Sequence, residues 1–202
     1  MTYLQFPNYP DLPDELKKEI FKIAELQDSE TYDDLLINST PEVIKMVKDI
    51  YGFEGAESKL GYTGLEARKM FPDLVKYHFL DASDKIKKWV NDTLPIKAAS
   101  INIQTMTSGK SIAPHIDEIR QYALNYLLSS GGDVDLKFYE LKGPADEQWV
   151  HPQIFIPYDK LEVKETTKVP LNTWHMLPTS KIHSVENFDP TQKRIALTIS
   201  IL

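Results

Sequence analysis

The amino-acid sequence predicts a mainly β fold, a β-sandwich or jelly roll with N-terminal helices packed on one sheet. Three observations predict it. Up to about residue 95, apolar residues recur at helical spacing and follow helix-start signals. From about residue 97 they fall into many short β-rich runs punctuated by Gly, Pro, Asp and Ser. A helical segment followed by strands, rather than alternating with them, favours sheets stacked face to face with helices to one side. The 202 residues suffice for one substantial core, so a single domain is expected over 1–202, with a helical support region at 1–95 and a β core at 96–202.

The first helix is expected from Asp11-Leu12-Pro13-Asp14-Glu15, where acids and a proline mark a start, with Leu16, Ile20, Ile23 and Ala24 on one face. Thr40-Pro41-Glu42 is a second start, a capping hydroxyl before a first-turn proline, and Val43, Val47, Ile50 and Tyr51 supply its apolar side. Three glycines between Tyr51 and Thr63 read as loop. A third helix is expected from Ser83 to about Asp92, with Ile86, Trp89 and Val90 together. Strands are expected at Ala99–Met106, Gln121–Leu128, Val134–Tyr139, Gln153–Tyr158, Leu161–Lys168 and Arg194–Leu202, with Leu141–His151 as an inserted loop.

Composition excludes several functions. Without cysteine there are no disulfides, zinc knuckles, iron–sulfur clusters or thiol nucleophiles. A metal site must use His, Asp, Glu and water, which suits Fe(II), Mn(II) or Zn(II). A formal net charge of −7 argues against sequence-independent capture of nucleic acid, which needs a basic face. No apolar run approaches the roughly 20 residues that cross a bilayer, and no basic segment followed by an apolar stretch opens the chain. The expected compartment is the cytoplasm.

The chemistry-bearing residues begin with Pro114-His115-Ile116-Asp117. Residues i and i+2 of a strand share a face, so the imidazole and carboxylate can converge on one ion. Further on, Asp189-Pro190 is a turn signal between two β-like runs. A hairpin centred there would pair His183 with Ala196 and Val185 with Arg194, putting His183 and Arg194 on one side. In the last strand Arg194, Ala196, Thr198 and Ser200 share one face, and Ile195, Leu197, Ile199 and Ile201 the other. The aliphatic face asks for a core beneath the helices; the small polar face suits a cavity wall. By itself the strand also fits a half-exposed edge with Arg194 in water, and the neighbouring His183 favours the cavity.

The order His115-x-Asp117, then His183, then Arg194 resembles the Fe(II)/2-oxoglutarate-dependent dioxygenase superfamily. Its motif is His-x-Asp, a distal His, and a basic residue about ten positions later. The runs Pro114–Tyr126, Val169-Pro170-Leu171-Asn172-Thr173 and His183-Ser184-Val185-Glu186-Asn187 are similar to members from phages and marine bacteria, of prolyl-hydroxylase-like or aspartyl/asparaginyl-hydroxylase-like type. The resemblance covers roughly residues 97–202 and implies a double-stranded β-helix. It implies that His115, Asp117 and His183 hold Fe(II) and are the catalytic centre, that 2-oxoglutarate chelates the iron and O2 takes the last position, and that Arg194 pairs with the far carboxylate of the cosubstrate. Oxidative decarboxylation would then drive hydroxylation of a peptide, amino acid or other small molecule. Because Asp117 is present, no halide position opens, and hydroxylation is favoured over halogenation.

Further cosubstrate contacts are expected from Thr198 or Ser200 on the face of Arg194, from Gln104, and from Asn125 if strand parity carries through from His115. Tyr122 and Tyr126 lie on the alternate face and would replace Asn125 if parity shifts. Arg120 would bind an anionic substrate or stand in water. His175 is the rival distal ligand, but it lies nineteen residues before Arg194, too far for the family spacing. His78 reads as packing in the helical region and His151 as loop; Trp149, Trp174 and Tyr158 line either a cleft or the core. Two other readings stand beside the oxygenase: a cupin-like metal enzyme with the same ligands and no 2-oxoglutarate, and a non-catalytic jelly-roll binding module. Substrate identity and oligomeric state are not written in these residues.

Overall fold

Short strands with one apolar face can bury it only by stacking sheets or by covering a sheet with helices, and this chain does both. The computed structural model describes residues 3–25, 73, 75–107, 109–116, 121–143, 156 and 158–201. Along the chain they form β1 (Leu4–Gln5), α1 (Asp14–Glu25), β2 (Lys76–Asp81), α2 (Asp84–Thr93), β3 (Ala98–Thr107), β4 (Ser111–His115), β5 (Tyr122–Ser130), β6 (Asp135–Leu141), β7 (Leu161–Thr167), β8 (Trp174–Pro178), β9 (His183–Glu186) and β10 (Arg194–Ile201).

The last eight strands pair from the outside inward: β3 with β10, β4 with β9, β5 with β8, β6 with β7, all antiparallel. Rolling that long double ribbon sets β10 against β5 and β9 against β6. The result is a six-stranded sheet in the order β1-β8-β5-β10-β3-β2 and a four-stranded sheet in the order β4-β9-β6-β7. This nested pairing is the double-stranded β-helix form of the jelly roll.

Alternation along the strands separates two cores. Ile101, Ile103, Leu124, Tyr126, Trp174, Ile195, Leu197 and Ile199 point away from the four-stranded sheet and pack on Leu16, Ile20 and Ala24 of α1 and Ile86 and Val90 of α2. Met106, Ala123, Leu177, Phe138, Val185 and Phe188 fill the space between the sheets. Asp14 and Glu15 sit in the first turn of α1 and Lys22 in its last, complementing the helix dipole. Ser83 caps α2, accepting from the Ile86 amide at 3.3 Å, and its hydroxyl also donates to Glu19 of α1, tying the helices together.

The structure departs from the sequence reading at four places, the first being β8 (Trp174–Pro178), which was not among the expected strands. Asp189-Pro190 does not turn a hairpin: β9 and β10 belong to different sheets, and residues 187–193 carry the chain across. The helical region also supplies strands, β1 and β2, at both edges of the larger sheet, so His78 lies on a strand. Tyr158–Lys160 form a 3-10 turn where the end of a strand was expected. The helix expected after Thr40-Pro41, the loop after Tyr51, and most of the Leu141–His151 insertion with Trp149 and His151 lie outside the described residues. Among the described residues no helix is long and apolar enough to cross a membrane.

The helix-facing core sets the stability. Leu197, in the middle of β10, is fully buried there. Leu197→Ala is expected to lower unfolding free energy by about 2–5 kcal/mol, measured by urea denaturation. Val163→Ala, on the exposed face of β7, serves as the near-neutral control.

Candidate metal and carboxylate site

His115 closes β4 and His183 opens β9, and the two are direct cross-strand partners. Their ring centres are 4.4 Å apart at an interplanar angle of 46°. Two imidazoles bound to one ion at about 2.1 Å and at a right angle have centres roughly 4.5 Å apart, so the pair is spaced to share a metal. The Nδ1 atoms lie 2.8 Å from the carbonyl oxygens of Ala113 and Lys181, two residues back in each strand. A neutral ring that donates from Nδ1 to its carbonyl presents at Nε2 the lone pair a metal requires. Phe138 lies across from His183 with its ring centre 6.3 Å away, walling that imidazole with hydrocarbon.

Ile116 packs outward against the cluster of Tyr139, Ile156, Leu161 and Ile182, as alternation after His115 requires. Asp117, Glu118, Ile119 and Arg120 lie outside the described residues. Among the described residues there is no group of three or more potential metal-binding side chains.

From the opposite sheet, Arg194 enters the space between the layers. Its parity is that of Ala196, Thr198 and Ser200, opposite to Ile195, Leu197 and Ile199 in the helix-facing core. The side chain is buried, yet its hydrogen bond is a long one, Nη1 to the Ser130 carbonyl at 3.4 Å, and its Nε has no partner among the described residues. Burial pulls the guanidinium below its ordinary value, to about 10, so it stays charged at neutral pH. Gly131 makes the close approach possible. Its φ is +72°, and a Cβ there would come within 2.9 Å of the Arg194 Cβ.

The polar wall around Arg194 comes from neighbouring strands. Asn125 on β5 is buried opposite Thr198 on β10 and His175 on β8, on the same side as Ala123 of the inter-sheet core. Gln104 pairs with Ala196 and shares the side of Met106. Ser200 lies farther along, hydrogen-bonded to Ser100 at 3.1 Å near solvent. Tyr126 is placed on the other side: it packs in the helix-facing core, and its hydroxyl donates to Asp11. Trp174 joins it there, bonded to the Pro10 carbonyl. Tyr122 and Tyr158 are exposed.

His175 stands on the larger sheet, in ring contact with Tyr3 at 5.6 Å. Burial, together with the nearby Arg194 charge, pushes its imidazole down to about 3. Tyr3, which the sequence reading missed, is half-buried here: its shielded hydroxyl has no hydrogen-bond partner among the described residues, and burial holds its value up. No motif surrounds it, and two-residue β1 carries no periodic signal.

A polar cluster on the outer side of the smaller sheet gives a useful contrast. The Glu186 carboxylate accepts from Lys137 at 2.6 Å, Tyr139 at 2.5 Å, Ser184 at 2.7 Å and Tyr158 at 3.1 Å. Burial alone would raise its value, but these donors hold it below the usual carboxylate range. That charge is satisfied within the chain, whereas Arg194 keeps an Nε with no partner among the described residues.

His175 also makes a pH prediction. It is neutral when folded and titrates near 6.5 when unfolded, so the unfolded state takes up the extra proton at low pH. Its contribution is present above about pH 6.5 and declines as the pH falls toward 3. Thermal midpoints measured from pH 7 to pH 4 should therefore fall less steeply in His175→Gln than in the unaltered protein.

No family model matches the chain, and no curated protein matches it. Among solved structures, it is similar to Bacillus subtilis oxalate decarboxylase, a protein with Mn(II) centres, at 14% identity and a TM-score of 0.35, over 63% of this chain and 26% of that one. A Lactobacillus farciminis oxalate decarboxylase solved with formate aligns at 10% identity and a TM-score of 0.35, over 64% and 29%. An oxalate oxidase in complex with the substrate analogue glycolate aligns at 16% identity and a TM-score of 0.34, over 64% and 52%. The chain thus spans between about a quarter and half of the proteins it matches.

Proposed function

We propose that the chain is an Fe(II)- and 2-oxoglutarate-dependent oxygenase that hydroxylates a C–H bond of a peptide, amino acid or other small molecule. The observation that carries this reading is the buried Arg194 guanidinium, which has no carboxylate partner among the described residues and enters the same interior as the paired histidines. An isolated buried charge costs several kcal/mol, and a ligand carboxylate reaching in from the metal would offset that cost.

His115 and His183, with Asp117, would hold the iron, and Arg194 would hold the far carboxylate of 2-oxoglutarate through charge-assisted bonds. Bound iron would supply activation of O2 coupled to oxidative decarboxylation of the keto acid. The chain's own contribution is orientation and exclusion of water. The carbonyls of Ala113 and Lys181 fix the two rings, Asn125, Thr198 and Gln104 offer a polar wall, and neutral His175 adds no second positive charge beside Arg194.

A second reading uses the same residues without 2-oxoglutarate. A metal-dependent jelly-roll enzyme would let Arg194 hold the carboxylate of the substrate itself, and the oxalate-processing enzymes named above are called after a small carboxylate. Adding 2-oxoglutarate anaerobically to the Fe(II)-loaded protein separates the two. The oxygenase should develop the weak visible band of the iron chelate. His183→Ala and Asp117→Ala should lose stoichiometric iron, and Arg194→Ala should weaken 2-oxoglutarate at least about a hundredfold. An iron-loaded native protein that ignores 2-oxoglutarate overturns the oxygenase reading; activity that survives Arg194→Ala and needs no keto acid supports the second.

A further inference from the structure

Two donors in the interior lack an acceptor among the described residues. Among the described residues, Arg194 Nε and Tyr3 Oη are the buried side-chain polar atoms with no hydrogen-bond partner. Both face the space between the sheets beside His175: the Tyr3 ring lies 5.6 Å from its imidazole, and the Arg194 charge acts on both His175 and Tyr3. The position of Tyr3 is not incidental. Leu4 and Gln5 pair with Met176 and His175 on the edge of β8, and the Tyr3 ring packs against the inter-sheet core. An orphaned donor in a dry interior is rare and costly. A guanidinium can only donate, so it cannot satisfy the tyrosine. What would satisfy both is an acceptor with two oxygens and a negative charge. Burial raises the Tyr3 hydroxyl above its ordinary value, against the opposing pull of the neighbouring Gln5 side chain and the Arg194 charge; it stays protonated and donates rather than repels, and Gln5 makes no hydrogen bond to it of proper geometry.

We propose that Tyr3 is the second donor of the carboxylate pocket, its hydroxyl and the Arg194 guanidinium closing on one carboxylate group, so that strand β1 completes the site. The inference deepens the proposed function and rests on it for the identity of the ligand as 2-oxoglutarate. The pairing of the two donors can be tested without iron. Glutarate carries the same far carboxylate and no keto acid, so it probes the pocket alone.

Calorimetric titration of metal-free protein with glutarate should show saturable binding, lost in Arg194→Ala and weakened about tenfold in Tyr3→Phe. Tyr3→Phe keeps the ring and removes an unsatisfied hydroxyl, so the ligand-free variant should melt at the same temperature or higher, a combination that mere packing does not produce. In the unaltered protein, glutarate should slow hydrogen exchange at the amides of residues 4 and 5, a readout that requires no variant. Unchanged glutarate affinity in Tyr3→Phe, unchanged exchange in β1, or no glutarate binding by the unaltered protein each overturns the inference. A Tyr3-dependent glutarate site in a protein that forms no iron chelate with 2-oxoglutarate upholds it and removes the oxygenase reading. The converse, a chelate with no dependence on Tyr3, upholds the oxygenase and removes this role.

Discussion

Strand β10 sends four aliphatic side chains toward the helices and, alternating with them, Arg194, Ala196 and Thr198 into the space between the sheets, with Ser200 on the same face near solvent. It sits at the centre of the larger sheet, hydrogen-bonded to β3 on one side and β5 on the other. A one-residue slip would bury the wrong set on both faces. The aliphatic set leaves little choice, because Leu197 and Ile199 are fully buried against α1 and α2. The helix-facing core therefore holds the register, and that register aims Arg194 at the interior.

The interior then holds a buried guanidinium whose Nε has no partner among the described residues. Elsewhere the chain satisfies such groups itself: Glu186 gathers Lys137, Tyr139, Ser184 and Tyr158 around one carboxylate. Around Arg194 there are instead another donor, Tyr3, and an imidazole held neutral by its surroundings. Stability alone would favour an apolar residue of similar volume at this position. Under the proposed function, an anionic ligand would offset that cost.

Much of this architecture was legible because periodicity reports burial directly. The faces of α1, α2 and β10 could be read from Leu16, Ile20, Ile86, Val90 and the alternation after Arg194. Connectivity was less legible. Asp189-Pro190 marks a change of direction, but a turn signal does not say whether the flanking strands pair or part, and here they part into separate sheets. The joint inward placement of His183 and Arg194 was expected from a hairpin and arises instead from two facing layers. Asn125 and Tyr126, adjacent in sequence, could be told apart only once the helix-covered side of β5 was known. Tyr3 was hidden because β1 is defined by its partner β8, not by any pattern of its own. The carboxylate that would join the two histidines, Asp117, is written in the motif and lies outside the described residues.

The nested pairing has a consequence for biosynthesis. Residues 194–201 leave the ribosome after β3 and β5, yet they occupy the gap between them. Until then two long strands rich in Ile and Leu carry unpaired backbone edges, the condition under which nascent chains associate with one another. Closing the sheet requires contacts between segments about a hundred residues apart, such as Ser100 with Ser200, which places the molecule among slow-folding topologies.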